Sequence, residues 1–477
     1  MNKILVRVES IYDLGLAKIL QDNGNFDFVS PSKNMQEILK IEGMDQPHQV
    51  NISDLDQRIG IFIKGNADSV AKVEKAFRAE LPDSILFTHQ VQQDSIYHAT
   101  VTKYIYRKKI AIIDLDGSNN GILFNVECRV GDRLVVQVKE LTTDINKLPV
   151  CSTIIAIPGN YCILELGASF VRVSKKIQGE NRKRLHVIGK ELLPEGFGII
   201  IRTSAKDFVE KELREEINKL LDFWNKTQEE SNNSENANRV ITGEKVSEIV
   251  LGYSSKEKLD QVLQTKMTIV KDYHLFKSYS MASGFVLEFA SHFSDKLPVE
   301  KVHSTLYSMI KERDFRINNH IKAEFHYFDG TQEEVNIGNI IENKDEIITQ
   351  RVVEHNTMDF PSFKVTPTDT MKVSFKTGSW SMHYQFYSPE GVNLGQWLRI
   401  IAPLDIAYRG RVRVYDMGMH LFKDGEGNVT HHVDDRSREN LVGSGIITKE
   451  LDEKLATVLV KAKDSLQASS ENILIIL

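Results

Sequence analysis

Residues 158–203 read PGNYCILELGASFVRVSKKIQGENRKRLHVIGKELLPEGFGIIIRT, and the rest of the chain is best understood from this stretch outward. Short apolar runs separated by Gly turns predict strands, and between them lies a dense basic run. From Arg172 to Lys190 it holds Arg172, Lys175, Lys176, Arg182, Lys183, Arg184 and Lys190 against a single acid, Glu180. The whole chain carries a formal charge of −6, so this local reversal of sign marks a phosphate-binding surface rather than a generally basic protein. Taken singly, each part would also suit a strand pair with a solvated basic face.

Three blocks stand in order and spacing within the stretch. They are Gly159-Asn160-Tyr161-Cys162-Ile163, then Val173-Ser174-Lys175-Lys176-Ile177-Gln178-Gly179-Glu180-Asn181-Arg182, then Pro194-Glu195-Gly196-Phe197-Gly198 leading to Arg202-Thr203. Together they resemble the 5′-end-sensing region of ribonuclease E/G proteins. The resemblance implies a ribonuclease-H-like, 5′-sensor α/β domain over 156–228. It also implies RNA contacts from Lys175, Lys176 and Arg182, and a terminal-phosphate pocket formed by Arg202 and Thr203 with the backbone near Gly159 and Ile163.

The 477 residues are too many for one core and predict several domains. With 41% hydrophobic and 26% charged residues, the composition is that of an ordinary globular protein and excludes global disorder. Cys128, Cys151 and Cys162 sit in apolar surroundings without a Cys-x-x-Cys spacing, which reads as buried small hydrophobes in a reducing interior. The opening MNKILVRVESIYDLGL breaks into charge too soon for a signal peptide, and no apolar run approaches the roughly 18 residues of a membrane span. A cytoplasmic protein without a membrane partner is expected.

The expected fold class is α+β multidomain. Residues 1–92 interleave strand-like alternation (Ile4 to Val8, Ile59 to Ile63) with helical stretches (Leu14 to Gln21, Ala71 to Leu81), giving a small α/β N-terminal domain. From 93 to 155 short strands with Gly and Asp-Gly punctuation suit an OB-type β-barrel. Ile96-Tyr97, Ile113-Asp114, Gly121-Ile122-Leu123-Phe124 and Asn146-Lys147-Leu148 again resemble ribonuclease E/G. Lys103, Arg107, Lys108, Lys109, Phe124 and Lys147 are the candidate RNA contacts of this barrel, with Phe124 either a core residue or a stacking platform.

A helix with Val209, Leu213, Ile217, Leu220, Leu221 and Trp224 on one face is expected after Ser204-Ala205-Lys206-Asp207, followed by a loop over Thr227–Arg239. A connecting α/β region spans 240–325. In it, Asp272–Tyr279 mixes cations with aromatics, so His274 and Lys277 are candidate RNA contacts, the alternative being a solvent-facing loop anchored by Phe276 and Tyr279.

Ribonuclease E/G proteins hold Mg²⁺ with an Asp-x-Asn pair and a distant Asp, and no such pair occurs after residue 240. Residues 326–477 alternate instead like an antiparallel β-barrel closed by a helix that opens at Thr448, with Leu451, Leu455, Val458 and Leu459 on one face. This part resembles the nucleoside di- and triphosphate phosphatases. Of that class's ligand positions only two keep a carboxylate, at Asp416 and Asp434, while Arg399, Gly418, His420 and Ser437 occupy others, so nucleotide phosphatase activity is the weakest reading and Asp416 and Asp434 are the candidate metal ligands. His420, His431 and His432 read as surface histidines about an Asp-Gly-Glu-Gly hairpin rather than a transition-metal site.

As a whole the chain resembles the archaeal AU-rich-RNA-binding proteins classed as probable ribonucleases related to ribonuclease E/G. The resemblance implies an endoribonuclease that binds AU-rich single-stranded loops of RNA and matures or degrades precursor rRNA, with Mg²⁺ as the cofactor such chemistry would take. The alternative is an RNA-binding protein without chemistry that presents RNA to another nuclease. No catalytic residue is assignable.

Overall fold

A computed structural model describes residues 3–44, 46–206, 210–232, 239–291, 293, 297–433, 435–468 and 473–476. Contacts divide the chain into two units, one of 1–88 with 246–477 and one of 89–245. Both mix helices with sheets, as an α+β chain should.

The first unit begins with β1 (Ile4–Glu9), α1 (Asp13–Asn23), β2 (Phe26–Val29), α2 (Lys33–Leu39), β3 (Gly43–Met44), β4 (Val50–Asp54), β5 (Gly60–Gly65), α3 (Ala67–Glu80) and β6 (Ile85–Thr88). The strands and helices expected near Ile4, Leu14, Ile59 and Ala71 are all present. Ser32 and Asn66 start α2 and α3 by accepting backbone N–H groups, which satisfies donors a helix start leaves open.

The second unit holds two sheets. The strands β7 (Ile96–Ile105), β8 (Ile110–Asp114), β9 (Asn120–Phe124), β10 (Arg133–Glu140) and β11 (Val150–Ser152) pair in the order β7-β8-β9-β11-β10, and β10 returns to β7. This closes a five-stranded barrel, with β9 and β11 parallel. Its interior is filled by Tyr97, Val101, Ile113, Leu123, Val136 and Cys151.

The other sheet consists of β12 (Ile155–Pro158), β13 (Cys162–Leu166), β14 (Val171–Val173) and, after α4 (Gly179–Glu191), β15 (Phe197–Ile201), in the order β12-β13-β15-β14. The helix α5 (Glu210–Asn232) contributes Leu213, Ile217 and Trp224 to the core under this sheet, while Asp207 and Val209 lie outside the described residues. The loop expected from Thr227 is helical to Asn232. Its Gln, Glu and Lys residues extend a helix already nucleated by packing, and Thr227 hydrogen-bonds back to the Phe223 carbonyl (2.7 Å). Residues 233–238 lie outside the described residues. The short strand β16 (Arg239–Ile241) then pairs with β7.

Returning to the first unit, β17 (Lys245–Val250) joins the N-terminal sheet between β5 and β6, giving the order β3-β2-β1-β4-β5-β17-β6. Four helices follow: α6 (Tyr253–Gln264), α7 (Tyr273–Tyr279), α8 (Met281–Ser291) and α9 (Val299–Asp314). The remaining strands are β18 (His320–His326), β19 (Gln332–Asn343), β20 (Ile347–Val352), β21 (Met358–Asp359), β22 (Lys364–Val365), β23 (Thr370–Phe375), β24 (Ser381–Tyr387), β25 (Asn393–Ile401), β26 (Asp405–Ala407), β27 (Arg411–Asp424) and β28 (Val429–Val433). They form a sheet that runs β18-β19-β20-β23-β24-β25-β27 and closes on itself because β18 also pairs β27, in parallel. The chain ends with α10 (Asp435–Gly443) and α11 (Lys449–Ala468). Thr448 accepts the Leu451 N–H (3.0 Å) at the start of α11, and Leu451, Leu455 and Val458 are buried as the periodicity predicts. Among the described residues no helix is long and apolar enough to cross a membrane.

Candidate nucleic-acid interface

In the four-stranded sheet, β13 pairs antiparallel with β15 so that Cys162 faces Ile201, and β14 pairs parallel with β15 so that Val173 also faces Ile201. This register brings the ends of all three sequence blocks, 159–161, 174–178 and 202–204, to one edge. Hydrogen bonds tie them there. Arg202 donates its N–H to the Tyr161 carbonyl (2.8 Å) and its guanidinium to the Gly159 carbonyl (2.6 Å). Ser174 and Thr203 share a hydroxyl contact at 2.9 Å, and Ser204 reaches the Asn160 carbonyl at 2.5 Å. Arg182 donates to the Ser174 carbonyl (2.9 Å) and so holds the 174–177 loop. Lys175 and Lys176 project from that loop into solvent, with no acid in ion-pair reach among the described residues.

Sequence reasoning missed Glu216. From α5 its carboxylate accepts the backbone N–H groups of Asn160 (2.7 Å), Tyr161 (2.8 Å) and Cys162 (2.9 Å). The backbone donors assigned above to a terminal phosphate are therefore already taken. A carboxylate supplies the negative charge such a row of N–H groups favours. Gly159 is needed for this approach, since a Cβ there would stand 2.8 Å from the Glu216 carboxyl carbon. Ile163 lies in the strand beyond the turn, paired with Pro158 and Ile200, and is not part of a phosphate cradle. Burial and the Glu216 charge push the Cys162 thiol up, and burial pushes the Cys151 thiol up to about 12, so both behave as inert hydrophobes.

The barrel brings its candidates together at one corner, except Lys147, which precedes β11 and lies toward the other end of β9. Ile105 pairs with Ile110 and Ile110 with Phe124, so the 106–109 turn sits beside the end of β9. Phe124 is 50% exposed, which removes the core reading, and Tyr106, 73% exposed, joins it although its sequence gave no sign. Tyr106 packs edge-on against Tyr104 at 4.7 Å. Lys103, Arg107 and Lys108 are exposed around these rings. Lys109 pairs with Glu127 (2.7 Å), which holds its ammonium above the ordinary lysine range, and Lys147 pairs with Asp144 (3.0 Å). Exposed rings beside unpaired cations suit base stacking with phosphate contact.

His274 and Lys277 are corrections. They lie on α7, every residue of which is buried. His274 Nδ1 meets Asp260 at 2.6 Å and its ring stacks on Tyr12, while Lys277 pairs with Glu288 (3.5 Å) and lies over Tyr273. Aromatic residues all round α7 made it core, so neither side chain reaches RNA.

Asp416 is a correction too. Arg399 donates to its Oδ2 both from Nε (3.0 Å) and from a second guanidinium nitrogen. Its Oδ1 accepts the Gly418 N–H (2.8 Å) and meets His420 Nε2 (3.2 Å). The hydrogen bond from His420 and the charge of Arg399 hold the Asp416 carboxyl far below the usual range despite burial. A carboxylate committed in this way, beside a fixed cation, does not fit as a ligand for a divalent ion. Asp434 lies outside the described residues. His431 and His432 are exposed on β28, and no group of three or more His, Cys, Asp or Glu side chains fit to hold a metal occurs among the described residues.

Comparison with known proteins follows this geometry. Residues 156–313 match the ribonuclease E/G family. The chain is 27% identical over 474 residues to the probable ribonuclease FAU-1 of Thermococcus gammatolerans, covering 94% of this chain and 96% of that one. It is 26% identical over 475 residues to the protein of that name from Pyrococcus horikoshii, with the same coverages, and 23% identical over 467 residues to that of Hyperthermus butylicus, covering 96% and 97%. Among solved structures, FomD in complex with CDP matches 32% of this chain and 87% of its own at 10% identity and a TM-score of 0.26, too low to carry an argument. Over nearly its whole length the chain is similar to the archaeal probable ribonucleases FAU-1, and the segment that matches the ribonuclease E/G family takes in the sheet whose edge the three sequence blocks form.

Proposed function

We propose that the protein is an endoribonuclease that binds single-stranded RNA through the 174–184 edge of the four-stranded sheet and the 103–109 and Phe124 corner of the barrel, read as an OB-type RNA-binding module. The observation that carries this is the convergence of the three ribonuclease E/G-like blocks on one edge, where Lys175 and Lys176 stand unpaired beside Arg202 and Thr203. AU-rich loops and precursor rRNA are the proposed substrates, after the family resemblance, and the protein would act in the cytoplasm. Terminal phosphate recognition rests on Arg202, Thr203 and Lys175 rather than on the backbone N–H groups that Glu216 occupies.

A second reading, an RNA-binding protein that presents RNA to another nuclease, is favoured by the full commitment of Asp416 to Arg399, His420 and Gly418. One experiment separates them. Purified protein is mixed with an AU-rich hairpin, with and without Mg²⁺, and scored for retention and for cleavage. Retention with Mg²⁺-dependent cleavage supports the nuclease, retention alone supports the presenter, and absence of both contradicts the proposal.

A further inference from the structure

In the first unit, far along the sequence from the sheet edge, an open cavity of about 650 Å³ lies among the 57–58 turn, the start of α8 and the 407–413 segment. That is within the range of ligand pockets, about 300–1,000 Å³. Five arginines line it, Arg58, Arg313, Arg409, Arg411 and Arg413, and one carboxylate, Glu324.

Arg413 stands at the back of it. It is 5% exposed, and its Nη2 donates to the Gln57 carbonyl (2.8 Å), yet its Nε and Nη1 have no hydrogen-bond partner. Asp405 stands 3.5 Å away and Glu324 4.0 Å away, near enough to balance charge and too poorly placed to satisfy the donors. Asp405 is shared with Lys256. Glu324 Oε1 is engaged by Arg411 (3.3 Å), and Arg411 also meets Glu334 (3.2 Å). Glu324 Oε2 and Asp405 Oδ1 are likewise buried without a hydrogen-bond partner, so Arg413 and these carboxylates form a loose ion-pair cluster at the back of the cavity.

The Arg58 guanidinium donates to the Lys277 carbonyl (3.1 Å) and its charge acts on Asp54, while the Arg409 guanidinium has no acid in ion-pair reach among the described residues. Arg58, Gln57 and Arg409 all adopt left-handed backbone (φ 61, 56 and 65°). For such residues this costs on the order of 1 kcal/mol each, a strain that commonly marks ligand sites. Beside them Tyr408 is 42% exposed, with the Arg313 and Arg409 guanidinium carbons 4.8 and 5.5 Å from its ring centre.

We propose that this cavity binds a nucleoside phosphate, its phosphate oxygens meeting Arg409 and Arg58 and its base stacking on Tyr408. Guanidinium forks match phosphate oxygens, and an exposed ring accepts any base. The ligand is either a free nucleotide or the phosphorylated end of an RNA strand. Arg413 itself is unsuited to mutation, because its loss would strand Asp405 and Glu324 in the interior. Tyr408 and Arg409 are exposed and serve instead.

The test is calorimetric titration of the full chain with 5′-AMP, adenosine, inorganic phosphate, and a tetranucleotide with a 5′-phosphate or a 5′-hydroxyl. Saturable binding of 5′-AMP, with adenosine at least about tenfold weaker, is expected. Arg409→Glu weakens AMP and phosphate by about tenfold or more, and Tyr408→Ala weakens AMP while leaving phosphate unchanged. A 5′-phosphorylated tetranucleotide that outcompetes AMP identifies an RNA end; one that does not identifies a free nucleotide. AMP affinity kept in the Lys175→Glu, Lys176→Glu variant assigns the binding to this cavity, whereas AMP affinity lost in it assigns the binding to the sheet edge of the second unit and overturns the proposal. No saturable binding of AMP or phosphorylated tetranucleotide below about 1 mM overturns the proposal. So does affinity unchanged in Arg409→Glu and Tyr408→Ala, or adenosine binding as well as AMP.

Discussion

At the Gly159 turn three consecutive backbone N–H groups end on one carboxylate, that of Glu216, and the turn's geometry depends on it. Replacing Glu216 with Ala leaves those donors without their acceptor, and a loss of about 1–3 kcal/mol in urea unfolding is expected. Glu216→Gln, which keeps one acceptor oxygen, should fall between. Cations on the same edge have different duties. Arg182 builds the 174–177 loop, so its substitution should cost stability as well as affinity, whereas the exposed ammonium groups of Lys175 and Lys176 have no ion-pair partner among the described residues and act on a ligand. Lys175→Glu with Lys176→Glu should therefore leave the thermal midpoint unchanged. It should lower affinity for all single-stranded RNAs alike and reduce the slope of log affinity against log salt by about 1 to 2, read by filter binding over a salt series. A sequence-dependent loss, or none, would remove these lysines from the interface. Basic residues in an acidic chain made this surface legible in the sequence. Glu216 was not, because its partner turn lies more than fifty residues away and one Glu among several on an acidic helix gives no signal.

Elements sort themselves by what their neighbours leave exposed. The barrel strands were legible from alternation, but whether Phe124 faced core or water depended on the register of β8 and β9, which no local pattern fixes. Phe124→Ala and Tyr106→Ala should each weaken single-stranded RNA by about 1–3 kcal/mol in equilibrium binding, with little change in thermal stability. Helix α7 shows the opposite error. Its mixture of aromatic and cationic residues looks like an RNA surface, yet the first unit closes around it and turns each cation inward to a carboxylate.

The C-terminal tail is a third case. Ile473 donates its N–H to His383 Nδ1 (3.0 Å), while His383 Nε2 meets Gln396 (3.1 Å), so the ring must be neutral with its proton on Nε2. Burial lowers His383 to about 4 and His326 to about 4 from an unfolded value near 6.5. Because the folded values lie below the unfolded one, the stabilisation is complete above about pH 6.5 and is lost as pH falls toward 4, on the order of 3 kcal/mol for each group. Thermal midpoints should drop across that window, and hydrogen exchange at 473 should quicken early in it. A midpoint flat from pH 7 to 4 would show that neither ring is held neutral.

Over the whole molecule, two units share one chain by insertion, with 89–245 set between the two parts of the other. The sequence announced the barrel and the sheet edge of the inserted unit clearly, since both are built from local strands and turns. It hid the continuity of 1–88 with 246–477, because β17 completes a sheet whose other strands lie far earlier in the chain. It also hid the arginine cavity, whose residues come from five separate segments. RNA is proposed to bind the inserted unit, through the Lys175–Lys176 edge and the Tyr106–Phe124 corner. Ultraviolet cross-linking of the intact chain to an AU-rich single-stranded RNA, with the attached peptides identified by mass spectrometry, tests this most directly. Cross-links should fall in 103–109, at Phe124 and in 174–184, and should fade as salt is raised. Cross-links confined to 1–88 or 246–477, or none at any salt, would contradict it.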